Sequence, residues 1–126
     1  MEKKWSRHWK SSTQPRKQRK YVHNAPLHVV SKLFSSMLSK ELKKKHGKNA
    51  ITVRKGDKVK ILRGQFKGKT GKVEKVALSR KKVYIEGIYL LKKDGKRTAY
   101  AIHPSKLMIT ELYLEDKKRS KSLERK

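Results

Sequence analysis

Cysteine is absent from the 126 residues. That excludes a disulfide framework, a thiolate zinc site and a thiol nucleophile. Long apolar runs are missing too. None exceeds four residues, as in Ile88-Tyr89-Leu90-Leu91, far short of a membrane-spanning helix. Met1-Glu2-Lys3-Lys4-Trp5 has no apolar stretch behind its charges, so no secretory signal is expected and a soluble intracellular protein is. Acidic residues are scarce, 10 Asp plus Glu against 37 Lys plus Arg. Neither GxxxxGK[ST] nor GxGxxG occurs, so no phosphate-cradling nucleotide loop is expected. No HExxH and no GxSxG elbow is present, and the histidines at 8, 23, 28, 46 and 103 are scattered. Catalysis, a cofactor, a metal and a small-molecule substrate are therefore not expected.

What is present is positive charge. The formal net charge is +27, with only 34% of residues apolar and 37% charged. A compact body of this size would repel itself strongly without a polyanionic partner, and nucleic acid is the leading one. Residues 1–48 carry 14 basic and 2 acidic residues, and residues 49–114 carry 17 and 5. Residues 115–126 carry 6 and 3. The charge is not confined to a tail. The stretch that looks most foldable is as basic as the stretch that looks least so.

The chain divides into a basic arm (1–24), a short helical segment (25–48), a strand-rich unit (49–114) and a charged C-terminal helix or tail (115–126). Residues 1–22 show no apolar face, and Gln14–Lys20 is too polar to offset its own ordering entropy, so the arm is expected to order on a partner. Trp5 and Trp9 stand among cations, a mixture that can stack on bases or pack on a protein. Asn24 and Pro26 suit a helix start, with Leu27, Val30 and Phe34 on one face. Ser35-Ser36 reads as a break before a second helix bearing Leu38 and Leu42, which Gly47 closes.

From Ile51 the apolar period becomes two: Ile51, Val53, Val59 and Ile61 alternate with polar residues as a half-buried strand. A second strand near Lys72–Leu78 has a broken alternation that suggests a bulge. A third spans Val83–Ile88. Asp94-Gly95 marks a hairpin between Ile88–Leu91 and Thr98–Ile102, and Leu107–Leu112 comes last. About sixty residues of short strands suggest a small closed barrel. Asp57 reads as a turn-stabilising side chain.

Lys55-Gly56-Asp57-Lys58-Val59-Lys60-Ile61-Leu62-Arg63-Gly64, continuing through Gln65-Phe66-Lys67-Gly68-Lys69-Thr70-Gly71-Lys72-Val73, closely resembles the KOW motif. In that motif a loop joins the first strands of an SH3-like barrel. Gln14–Lys20, Asn24-Ala25-Pro26-Leu27-His28 and Leu38-Ser39-Lys40-Glu41-Leu42 resemble the N-terminal part of one ribosomal family. Ile102-His103-Pro104-Ser105-Lys106 resembles its barrel segment. The family is the universal KOW-domain protein of the large ribosomal subunit, protein twenty-four in bacteria and twenty-six in eukaryotes. The match, from about Gln14 onward, is to the archaeal and eukaryotic branch. Residues 1–13 depart from the pattern.

The resemblance implies a mainly β fold and a cytoplasmic structural component of the ribosome. It implies binding to the 5′ domain of large-subunit ribosomal RNA early in assembly, near the polypeptide exit tunnel. Neighbouring ribosomal proteins follow as partners, exit-tunnel factors stay open, and no membrane is involved. The implied arm contacts are Arg16, Lys17, Arg19 and Lys20. The implied loop contacts are Arg63, Lys67, Lys69 and Lys72, with Gly64, Gly68 and Gly71 allowing close approach. His103 and Ser105 are further candidates. Arginine offers a better phosphate fork than lysine, which favours Arg16, Arg19, Arg54 and Arg63 among the cations. A KOW-domain elongation factor gripping polymerase or nascent RNA is the alternative.

Overall fold

The structure is a computed structural model that describes residues 4–125. Residues 1–3 of the expected arm and residue 126 of the tail lie outside that range. Among the described residues seven strands form one mixed sheet: β1 (Ser35–Leu38), β2 (Ala50–Thr52), β3 (Lys58–Ile61), β4 (Thr70–Ala77), β5 (Lys82–Leu91), β6 (Arg97–Ile102) and β7 (Leu107–Glu111). Their order is β2-β1-β7-β3-β4-β5-β6. Four α-helices accompany them among the described residues: α1 (Pro15–Asn24), α2 (Leu27–Leu33), α3 (Lys40–His46) and α4 (Lys117–Glu124).

Alternation places the core as expected. In β3, Val59 and Ile61 are buried while Lys58 and Lys60 face out. They join Val73, Val83, Ile85, Ile88, Ile102, Leu107 and Ile109 in one apolar cluster, which Phe34, Leu38 and Val53 complete. Each such side chain contributes about 1.5–3 kcal/mol relative to exposure. Ile102 of β6 belongs to this cluster and Ile51 of β2 packs against it, so the two outer strands serve the same core.

The sheet holds more strands than the sequence pattern suggests. Ile51–Ile61 is not one strand. A turn interrupts it, in which the Arg54 amide donates to Asp57 Oδ2 at 2.9 Å, leaving β2 and β3 on either side. Val83–Ile88 and Ile88–Leu91 are instead one strand, β5, which pairs with β6 through a register shift between Tyr84 and Tyr89. The bulge in β4 falls between Val73 and Lys75. The Asp94-Gly95 hairpin forms, with Lys92 N donating to Lys96 O at 2.9 Å.

Ser35–Leu38, expected as a break and the start of a second helix, is strand β1. It runs parallel to β7, with Met37 opposite Met108 and Leu38 opposite Ile109. Ser36 Oγ donates to the Pro104 carbonyl at 2.6 Å. Pairing with a strand some seventy residues later outweighs the local helical spacing of Leu38 and Leu42. The second helix therefore begins at Lys40, with Ser39 as its cap and left-handed Gly47 closing it. Asn24 ends α1 rather than capping α2, and its Nδ2 donates to Lys4 O at 3.0 Å.

The arm is not the irregular segment its composition suggests. A 3-10 turn (Arg7–Ser11) packs against α1. Trp5 stacks on Tyr21 with ring centroids 5.4 Å apart, and its Nε1 donates to the Tyr21 carbonyl at 3.0 Å. Sixteen residues separate the pair, so neither supplies a local period. Tyr21 is left only 7% exposed. At the other end the tail forms α4, with Asp116 capping Lys118 N at 2.9 Å and Arg119 and Leu123 buried.

Candidate nucleic-acid interface

The glycine-punctuated turn between β3 and β4 is held by its own backbone. Gly68 N donates to Ile61 O at 2.8 Å and Lys67 N to Gly64 O at 3.1 Å. Gly64 and Gly68 have φ of +98° and +88°, and a Cβ at either would meet open space. Conformation, not crowding, requires glycine at these two positions. Gly71 differs: a Cβ there would lie 2.6 Å from Ile85 Cγ2 and 2.8 Å from the Glu86 carbonyl. The close approach Gly71 permits is that of β5. Arg63, Lys67 and Lys69 are exposed along the turn. Lys69 Nζ sits 5.2 Å over the Phe66 ring, which packs on Tyr100 at 5.0 Å.

His103 and Ser105 occupy the short 3-10 turn before β7. His103 Nδ1 lies 2.8 Å from Ser105 Oγ and accepts from Ser105 N at 3.2 Å. The pair thus shapes its own turn while the ring remains half-buried. Burial lowers the His103 pKa from its ordinary value, and Lys82, Lys106 and Lys81 lower it further. A narrow cleft of about 70 Å³ brings His103 together with Arg63, Gly64, Lys82 and Lys106. Two candidates far apart in sequence, Arg63 and His103, therefore share one site. Lys82 and Lys106 complete it; the basic run Arg80-Lys81-Lys82 is the sequence signal available for the first.

Arg16, Lys17, Arg19 and Lys20 are exposed on α1, and Lys20 Nζ lies 5.1 Å over the Trp9 ring. Lys81, at the tip of the β4–β5 turn, donates through Nζ to the Val22 carbonyl near the end of α1. It also borders a cleft with Arg19. Because Lys82 next to it lines the Arg63–His103 cleft, the β4–β5 turn bridges the arm cations and the glycine turn. Two basic groups therefore meet at one turn, Lys81 beside the end of α1 and Lys82 in the Arg63–His103 cleft.

Two candidates stand apart from it. Lys72 lines an open cleft of about 570 Å³ with Lys55, Glu74, Glu86, Tyr89 and Tyr113, so two carboxylates share its surroundings. Arg54 is paired with Asp116 on the surface, next to the α4 cap. Among the described residues no group of three His, Asp or Glu side chains could hold a metal ion. None of the described helices is long and apolar enough to cross a membrane.

Residues 12–126 match the model of the family described as ribosomal proteins, L26 in eukaryotes and L24 in archaea. The chain belongs to this family. A relative, the large ribosomal subunit protein uL24 of Korarchaeum cryptofilum (strain OPF8), is 49% identical over 115 residues, covering 91% of this chain and 88% of that protein. The branch is the one the motifs resemble, and the family is structural rather than enzymatic. All the candidate residues, from Arg16 to Ser105, fall inside the region shared with the family. Trp5, Arg7 and Trp9 fall outside it.

Proposed function

We propose that the chain is a structural constituent of the large ribosomal subunit that binds ribosomal RNA through the basic surface running from α1 across Lys81-Lys82 to the Arg63–His103 cleft. That juxtaposition carries the reading. Folded RNA hides its bases in helices, so a protein that reads its shape needs cations spread to match phosphate positions. Each neutralised phosphate releases counterions, which makes affinity fall steeply with salt. Arg16 and Arg19 supply guanidinium forks at one end and Arg63 at the other. Lys17 and Lys20 add point charges at the first end, and Lys67 and Lys69 at the second. Gly64 and Gly68 leave open space above the turn into which a phosphate backbone fits.

The RNA segment is the 5′ domain of large-subunit ribosomal RNA, engaged early in assembly. The sheet acts as an SH3-like barrel docked on RNA near the polypeptide exit tunnel, within cytoplasmic ribosomes and beside other large-subunit proteins. Lys72 and Arg54 are secondary contacts in this reading, since each already has carboxylates beside it. Crosslinking of the tagged chain in cells, with sequencing of the attached RNA, tests the proposal. A sharp peak in the 5′ domain is the expected result. Reads spread over many nascent transcripts, or recovery with polymerase in place of large subunits, would overturn it.

A further inference from the structure

A second cleft lies between the N-terminal turn and α2, away from the glycine turn. It is open, about 660 Å³ in volume, within the roughly 300–1,000 Å³ range of small-ligand sites. We propose that it holds one unpaired nucleotide of RNA, with the base against Trp5 and Val29 and the flanking phosphates against Arg7, His28 and Lys32. The proposal rests on the RNA-binding reading above and adds a site to it. Half of this site, Trp5 and Arg7, precedes the residues that match the family model, while His28, Val29 and Lys32 lie within them.

Two observations support it. Trp5 is fixed before any ligand arrives: its ring is stacked at 29° on Tyr21 and its Nε1 is tied to the Tyr21 carbonyl. An indole held this way presents apolar surface at little further entropic cost. Arg7 and Lys32 give the lining positive charge, and no carboxylate lines it among the described residues. Flat aromatic surface joined to cations is the recognition set for single-stranded nucleic acid, whose bases all carry a π-face. An acidic peptide would match the charge but would leave the indole without a flat partner. A paired base would have both its faces already stacked and could not enter.

The test compares two RNAs on the full-length chain: a short oligouridylate carrying 5-iodouridine, and a blunt duplex of equal length. Val29→Trp puts a bulky side chain where the base would lie and leaves both residues of the Trp5–Tyr21 stack unchanged. It is expected to weaken oligouridylate binding about tenfold and to change duplex binding by less than about twofold. Photo-crosslinks from iodouridine are expected on Trp5 in the natural chain and to disappear in Val29→Trp. Trp5→Leu should show the same selectivity unless it unseats α1, in which case both RNAs lose affinity, so Val29→Trp decides. Unchanged oligouridylate binding by Val29→Trp, equal loss on both RNAs, or crosslinks only elsewhere would each overturn the cleft and leave the broader RNA reading standing. Failure of the natural chain to bind either RNA would overturn that reading itself.

Discussion

Arg119 on α4 grips Asp57, sixty-two residues earlier, with both ends of its guanidinium: Nη1 to Oδ1 at 2.6 Å and Nη2 to Oδ2 at 2.7 Å. Their side chains are 3% and 0% exposed. Arg119 also donates to the carbonyls of Tyr113 at 2.9 Å and Thr52 at 3.2 Å. Asp57 additionally accepts from the amides of Arg54 at 2.9 Å and Tyr113 at 3.0 Å. A buried carboxylate that accepts two backbone amides and a two-pronged cation is fully compensated. The pair ties three places together: the end of β2, the turn before β3 and the exit from β7. A basic C-terminal segment that could have trailed into solvent is thereby fixed to the sheet.

Removing one partner leaves the other charge buried and alone. Arg119→Met is expected to destabilise the chain by about 3–5 kcal/mol, a large share of the roughly 5–15 kcal/mol of a small domain. Urea unfolding checks it. The double variant Asp57→Asn/Arg119→Met should lose less than the two single variants summed, because the uncompensated charge is then gone. A loss below about 1 kcal/mol in Arg119→Met would mean that water reaches Asp57 and replaces the guanidinium.

How far the sequence carries can be seen at the same residues. Asp57 is legible as a turn residue from its setting in Lys55-Gly56-Asp57, and its bond to the Arg54 amide is that turn contact. Its bond to Arg119 is not legible, because nothing in Lys117-Lys118-Arg119 distinguishes the buried cation from its exposed neighbours. Strands with strict alternation, such as β3, are readable because each records its own burial every second residue. β1 is not, since what makes Ser35–Leu38 a strand is β7. The arm fails for a related reason: the apolar partner of Tyr21 is Trp5, outside any helical period. Within the candidate site, Arg63 and His103 are both readable, yet only the fold reveals that they share a cleft with Lys82 and Lys106.

His103 gives a pH test of that cleft. Its pKa is lowered in the folded chain, by burial first and then by Lys82, Lys106 and Lys81. The neutral ring is thus favoured, and the associated stability is fully present above the unfolded value near 6.5. It is lost as pH falls through the lower folded value. Phosphate entering the cleft acts in the opposite sense and raises the pKa. An NMR titration should place the free ring's midpoint below 6.5 and move it upward when RNA binds. By linkage, RNA affinity should then rise as pH falls between the free and bound midpoints. An unmoved midpoint would put the ring outside the interface.

Gly71 and Gly64 separate packing from contact. Gly71→Ala forces a Cβ into Ile85 and the Glu86 carbonyl, and should cost about 1–3 kcal/mol in thermal or urea unfolding by displacing β5. Because the clash faces the neighbouring strand, RNA affinity of the folded fraction should be nearly unchanged. Gly64→Ala meets no atom but must hold φ near +98°, with strain of order 1–3 kcal/mol. If Gly64 lies under a phosphate backbone, the added methyl also weakens RNA binding. Equal effects of the two variants on affinity would remove the distinction.

The arm cations offer the most direct measure of how many phosphates the chain engages. Arg16, Lys17, Arg19 and Lys20 all sit on α1 with their charges exposed, and none takes part in the Trp5–Tyr21 contact that fixes the helix. Alanine has the highest helix propensity, so replacing all four should keep α1 formed. Among the described residues, the Lys20 contact with the Trp9 ring is lost with them. If each cation neutralises one phosphate, the quadruple variant should bind ribosomal RNA more weakly. Its plot of log affinity against log salt should be shallower by about 3, from ~0.7–0.9 per contact. Binding titrations at several KCl concentrations, with circular dichroism to confirm the helix, give the number. A slope that changes by about 1 would leave a single arm cation in contact and shift the weight of binding to the glycine turn and the His103 cleft. An unchanged slope would mean that all four cations face solvent in the complex.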